Sequence, residues 1–176
     1  MVQYRLQYFD FRGLGEPIKL LLHYAGIPFK DEMFDIEGNW LGYKPNLRGK
    51  SDVEAARLDS IIDFFLEFYF EVRPYVLLLT GFITGDKQKL QQELWVPKTS
   101  YSLPLLENLL KETKTGFFSK DGVTWVDFFI AELNYTMKGL EPETYKNYPE
   151  LIKHIHRVYE LPQLKEYLDS RKHSVI

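Results

Sequence analysis

The stretch with most chemical promise is "YFDFRGLGEP", from Tyr8 to Pro17. A tyrosine ends an alternating run and is followed by two glycines. If the run is a strand, Tyr8 stands where ligands gather in α/β sheets, outside the carboxyl end of a strand. Its O–H could then donate to a substrate anion. Spacing leaves a second reading open, in which Tyr8 is one more core tyrosine among 12. "GLGE" falls short of the phosphate-binding pattern G-x-G-x-x-G, because Ile18 occupies the third glycine position. A tight strand-to-helix turn is the better account of Gly13 and Gly15. Trp40 and Lys44 are four apart and could share one face of a helical turn beside the sheet. A surface tryptophan packed on a lysine stem fits them equally well. His154 and His156 are two apart, so they do not share a helix face. With His23 and His173 they read as solvated or edge histidines, and no metal site is expected.

The elements that must position these groups follow from periodicity. Val2, Tyr4, Leu6 and Tyr8 alternate with Gln3, Arg5 and Gln7, which predicts a strand. "IKLLLHYAG" has helical spacing, with Pro17 in its first turn and Gly26 as its stop. "IPFKDEMFDI" predicts a second strand, so the opening reads as a parallel βαβ unit. From Ser51 the pattern becomes helical. "SDVE" is a capping box, and Leu58, Ile61, Ile62, Phe65, Tyr69 and Val72 form an apolar stripe. Pro74 should bend or end that helix, and Pro97 should kink the next, from about Asp86 to Glu112. "TWVD" opens a third helix, with Thr124 and Asp127 as its box and Val123 stapling to Phe128. "NYPELIKHIHRVYE" and "LPQLKEYLDSR" give two more, each with proline at its entry.

Composition narrows the function classes. The chain has 176 residues, 45% hydrophobic and 16% aromatic, enough for a sizeable core. A net charge of -3 without a Lys/Arg cluster argues against nucleic acid as partner. The absence of cysteine excludes disulfides, thiolate metal sites and a cysteine nucleophile. "MVQYRLQYFDF" lacks a signal-peptide pattern, and "YVLLLTGFI" is too short to span a bilayer. The expectation is a soluble, cytoplasmic protein with no membrane partner.

Together, "YRLQYFDFRGLGEPIKLLLHYAGIPFKDE", "GVTWVDFFIAE" and "YPELIKHIHRVYELPQLKEYLDSR" resemble the cytosolic glutathione S-transferases, most closely the sigma-like class abundant in nematodes. Y-F-D-x-R-G-x-x-E and the T-x-x-D cap are independent signatures of that family. The resemblance implies an α/β plus all-α fold: a thioredoxin-like N-terminal domain, here 1–46, and an all-helical C-terminal domain, here 47–176. It implies glutathione as co-substrate, a small electrophilic or hydrophobic second ligand, no metal, and a homodimer. By resemblance Tyr8 is the catalytic residue, donating to the glutathione sulfur, while Trp40 and Lys44 hold the glycyl end. A thiol of pKa about 8.5 is only a few per cent ionised at neutral pH, and the thiolate is the nucleophile. Lowering that pKa by about two units requires roughly 2.7 kcal/mol, within reach of one hydroxyl and a helix N-terminus. Phe9, Leu14 and helix residues near Tyr75 are candidates for the second pocket.

Two departures accompany the resemblance. Leu14 stands where many sigma-like members carry arginine. "YKPN" also runs directly into "LRGKSDVEAAR", where the family has a cis-proline loop, a β-hairpin and a third helix. Two strands, a turn and a helix amount to roughly 30 residues. The N-terminal domain is therefore expected to be truncated, with half of the glutathione site missing. Two alternatives to a conjugating or peroxide-reducing enzyme follow. One is a non-catalytic ligand-binding or interaction protein, and the other is a truncated isoform with an incomplete glutathione site.

Overall fold

The fold was described from a computed structural model of the chain, over residues 4–8, 12–33 and 50–171. Trp40, Lys44, Phe9, His173 and the junction at Asn46–Leu47 lie outside these residues.

The chain opens as a βαβ unit. Strand β1 (Tyr4–Tyr8) pairs in parallel with β2 (Phe29–Met33), placing Tyr4 opposite Phe29 and Tyr8 opposite Met33. Helix α1 (Glu16–Tyr24) is the crossover, with Pro17 in its first turn as the sequence predicts. Leu6 and Leu20 are buried and Arg5 is exposed, the outcome that period two in the strand and period 3.6 in the helix require.

The described residues from 50 onward are mainly helical. Helix α2 (Asp52–Leu79) is capped by Ser51, whose Oγ accepts from the Glu54 N–H at 3.1 Å. The Glu54 carboxylate, expected to return that bond, lies 3.8 Å from Arg57. Pro74 neither ends nor breaks α2, which runs five residues further. An interior proline costs about 3 kcal/mol. Burying an aliphatic or aromatic side chain is worth about 1.5–3 kcal/mol, and both Tyr75 and Val76 are buried just beyond it. Packing therefore overrides the local break. A short α3 (Lys87–Leu90) passes through one π-helical turn, Gln91–Trp95, into α4 (Val96–Thr113). The irregularity expected at Pro97 thus falls in the turn just before it. Helix α5 (Trp125–Leu140) is central, and α6 (Pro142–Tyr145), α7 (Pro149–Tyr159) and α8 (Lys165–Ser170) complete the chain.

Two apolar cores result. The larger joins α2, α4 and α5 around Phe65, Val72, Trp95, Leu106 and Ile130. The smaller contains Leu20 of α1 with Phe128 and Ala131 of α5, Val158 of α7 and Leu164. Val123 packs against this second cluster, as its stapling role predicts.

A polar cluster at the same junction ties the βαβ unit to the helices. The Arg12 guanidinium donates to the Glu132 carboxylate of α5, with Nε at 2.5 Å, and reaches Thr136 at 3.3 Å. Arg171, just past α8, donates to Glu16 at 2.6 Å, and the Tyr167 hydroxyl donates to the same carboxylate at 2.9 Å. The Tyr159 hydroxyl donates to Glu132. Arg12, Glu16 and Glu132 are all buried, so two positive and two negative groups share one low-dielectric pocket.

Candidate functional site

Tyr8 lies at the carboxyl end of β1, half-buried, facing the turn that leads into α1. Its phenolic oxygen accepts a hydrogen bond from the Leu14 backbone N–H at 2.9 Å. A phenol that accepts at oxygen retains the capacity to donate its own hydrogen, and the accepted bond makes it a better donor. Gly15 explains why the turn can come this close. A Cβ at Gly15 would stand 2.4 Å from Cδ1 of the Tyr8 ring, a distance that side chains do not tolerate. The steric reading of "GLGE" therefore holds: Gly13 adopts φ 37° and Gly15 presses its bare backbone against the ring.

Leu14 packs on the larger apolar core. The Tyr8 turn thus touches the helical part as well as the strand. From that side comes Tyr69 of α2, which the sequence assigns only to the apolar stripe. Burial raises the pKa of its hydroxyl, Arg73 one turn later lowers it, and Tyr8 raises it, so these groups are within electrostatic reach of one another. Nothing local announces that Tyr69 comes within electrostatic reach of Tyr8.

The remaining candidates divide. Tyr75 is fully buried, and its hydroxyl donates to Glu141 at 2.5 Å. It therefore belongs to the core. His23 stacks on Tyr167 with ring centroids 4.1 Å apart. His156 is exposed, whereas His154 is fully buried, which corrects its reading as an edge histidine. Its Nε2 meets the Asp127 carboxylate at 2.9 Å. That carboxylate also accepts from the Thr124 N–H at 2.7 Å and Oγ at 2.8 Å, and from the Phe118 N–H at 2.9 Å. The cap of α5 is thus a buried hub rather than a surface feature. Among the described residues, no group of three or more His, Asp or Glu side chains could hold a metal ion. No described helix is long and apolar enough to cross a membrane.

A parallel βαβ piece with a phenol at the end of its first strand, docked on a bundle of helices, is the arrangement that the resemblance to the glutathione S-transferases implies. Residues 77–171 match the family model described as "Glutathione S-transferase, C-terminal domain". The chain is 33% identical to glutathione S-transferase 1 of Ascaris suum over an alignment of 201 positions, covering 97% of this chain and 98% of that one. It is 29% identical to probable glutathione S-transferase 8 of Caenorhabditis elegans, with the same shares covered. Among solved structures, the glutathione S-transferase from Ascaris lumbricoides superposes with a TM-score of 0.89 at 32% identity, covering 99% of this chain and 100% of that one. A Nu-class enzyme of Haemonchus contortus gives 0.84 at 30% identity, with both chains covered in full. The chain belongs to the glutathione S-transferase family.

Proposed function

We propose that this chain binds glutathione and conjugates its thiolate to small electrophiles, or uses it to reduce peroxides, with Tyr8 as the thiol activator. The observation that carries this reading is the Leu14 N–H bonded to the Tyr8 oxygen at the mouth of the βαβ unit. An oxygen already accepting a bond is a poor base and a good donor, which suits it to hold an anion rather than to take a proton. Trp40 and Lys44 hold the glycyl end, with Lys44 on the carboxylate. No metal takes part. The glutathione-binding unit comprises residues 1–46 and the helical unit residues 47–176. The protein works in the cytoplasm.

We assign the chain to the sigma-like, nematode-type class, as a member from which the cis-proline loop, hairpin and third helix of that class are missing. Aligned lengths support the deletion, since the alignment to the Ascaris suum protein runs over 201 positions while covering 97% of a chain of 176 residues. The same observation favours a second reading, in which the complete helical unit serves as a non-catalytic ligand-binding or interaction module, or the chain is a truncated isoform. A homodimer is proposed, on the resemblance to the family. A neighbour at 28% identity, from the hookworm Necator americanus, is described as monomeric, so a monomer is the alternative outcome.

Replacing Tyr8 with Phe tests the enzyme reading. Loss of one preorganised donor typically costs about 10²–10³ in turnover. Steady-state conjugation of a general electrophile should therefore fall by about a hundredfold. An unchanged rate, or no turnover by the native chain, would favour the binding module.

A further inference from the structure

The junction cluster and the Tyr8 turn share residues. Arg12 and Glu16 bracket the turn, and the Glu16 N–H donates to the Arg12 carbonyl at 2.8 Å. Between them, the Leu14 N–H points at the Tyr8 oxygen. Both bracketing side chains have partners in the helical part. Arg12 is held by Glu132, 120 residues later, and Glu16 by Arg171, 155 residues later. Arg171 also lies over the ring of Tyr159, 5.2 Å from its centroid, and donates to that hydroxyl at 3.3 Å. The helical part therefore grips the turn at both ends. Hydrogen bonds weaken steeply once angle and distance drift, and misplacement of a catalytic group by about 1 Å can cost roughly a hundredfold in rate.

We propose that Arg171 and Tyr167 are positioning residues for Tyr8: by fixing Glu16 they hold the Leu14 N–H on the phenolic oxygen. The catalytic consequence rests on the reading of Tyr8 as thiol activator, while the positioning itself does not. The C-terminal turn of the chain thus acts as a clasp on the N-terminal site. It adds no group to the ligand, and its effect is transmitted through the 12–16 turn.

Amide hydrogen exchange followed by NMR on the full chain tests this without glutathione. In Arg171→Met, the Leu14 amide should exchange about tenfold faster, while amides of α1 from Leu20 to Leu22 stay within about twofold of the native rate. Tyr167→Phe keeps the ion pair and removes one bond, so a smaller acceleration confined to Leu14 is expected. It carries the test if Arg171→Met does not fold. Arg171→Lys should restore part of the protection, and Lys153→Met, which removes a surface ion pair elsewhere, should leave it unchanged. The proposal is overturned if the Leu14 rate is native-like in both main variants. It is equally overturned if the α1 amides accelerate as much as Leu14, because the clasp is then only a docking contact. In conjugation assays the variants should lower kcat with KM little changed. If Tyr8→Phe keeps native turnover, the activator role fails, while the exchange result still decides the positioning.

Discussion

The buried Asp127 and Asn134 of the helical part find partners inside that part, whereas the buried Arg12 and Glu16 of the βαβ piece find theirs across the junction. Asp127 collects its donors from Thr124, Phe118 and His154, all helical-part residues. Asn134 accepts from the Tyr145 hydroxyl at 2.7 Å, again within the bundle. Arg12 and Glu16 instead reach to α5 and to Arg171 beyond α8. The apolar contacts divide in the same way. The buried members of the large core all come from the helical part, with Leu14 packed at its edge, while Leu20 of α1 completes a cluster otherwise built by α5, α7 and Leu164. Two strands and one helix do not make an independently stable sheet. The difference teaches that the small piece carrying Tyr8 borrows its stability, and its geometry, from the large one.

The most damaging change should be one that opens the self-contained part. Asp127→Ala leaves His154 and three other groups without their partner, and each buried polar group left unsatisfied costs about 1–3 kcal/mol. The urea midpoint should fall for the whole molecule, with α2 and α5 losing exchange protection together. Leu20→Ala should cost about 2–5 kcal/mol at its own site. It should free the βαβ piece selectively, with β1, α1 and β2 amides losing protection before those of α2. If all helices opened equally, the asymmetry between the two parts would be wrong. Gly15→Ala should cost about 1–3 kcal/mol by overpacking against the Tyr8 ring. It should depress conjugation more than its effect on the melt would suggest.

Alkaline titration gives a smaller, graded effect. Burial pushes the Tyr145 and Tyr159 hydroxyls well above their ordinary range, and the Glu132 carboxylate beside Tyr159 adds to it. Both stay protonated in the fold at a pH where the unfolded chain ionises. Their contribution is complete below about pH 10 and is lost as pH rises further, by about 1.4 kcal/mol per pH unit for each. Tyr167 is shifted in the same direction, with burial and Glu16 as causes. Tyr167→Phe should therefore flatten the alkaline loss slightly, which urea melts at stepped pH would resolve. Lys153→Met, which breaks an exposed pair with Glu150, should leave the melting midpoint unchanged.

What could be read from the sequence was local. The alternation ending at Tyr8, the caps at Ser51 and Thr124, and the stripe on α2 all depend on neighbours within a few residues. Of the two outcomes expected at Pro74, the end of the helix does not occur, because Tyr75 and Val76 are stabilised by a core that no local pattern displays. His154 was read as an edge residue because its partner, Asp127, is 27 residues away. At the site, Tyr8 and the tight glycine turn were legible. The Leu14 bond, the approach of Tyr69 and the clasp from Arg171 were not, since each joins segments that only the fold brings together. Trp40 and Lys44 remain carried by resemblance.

The most direct measurement of the central claim is the ionisation of glutathione bound to the protein, followed by thiolate absorbance as pH is raised. If Tyr8 activates the thiol, the midpoint should lie about two units below the ordinary value near 8.5 and return towards it in Tyr8→Phe. A midpoint of about 8.5 in the native protein, unchanged by that substitution, would contradict the account.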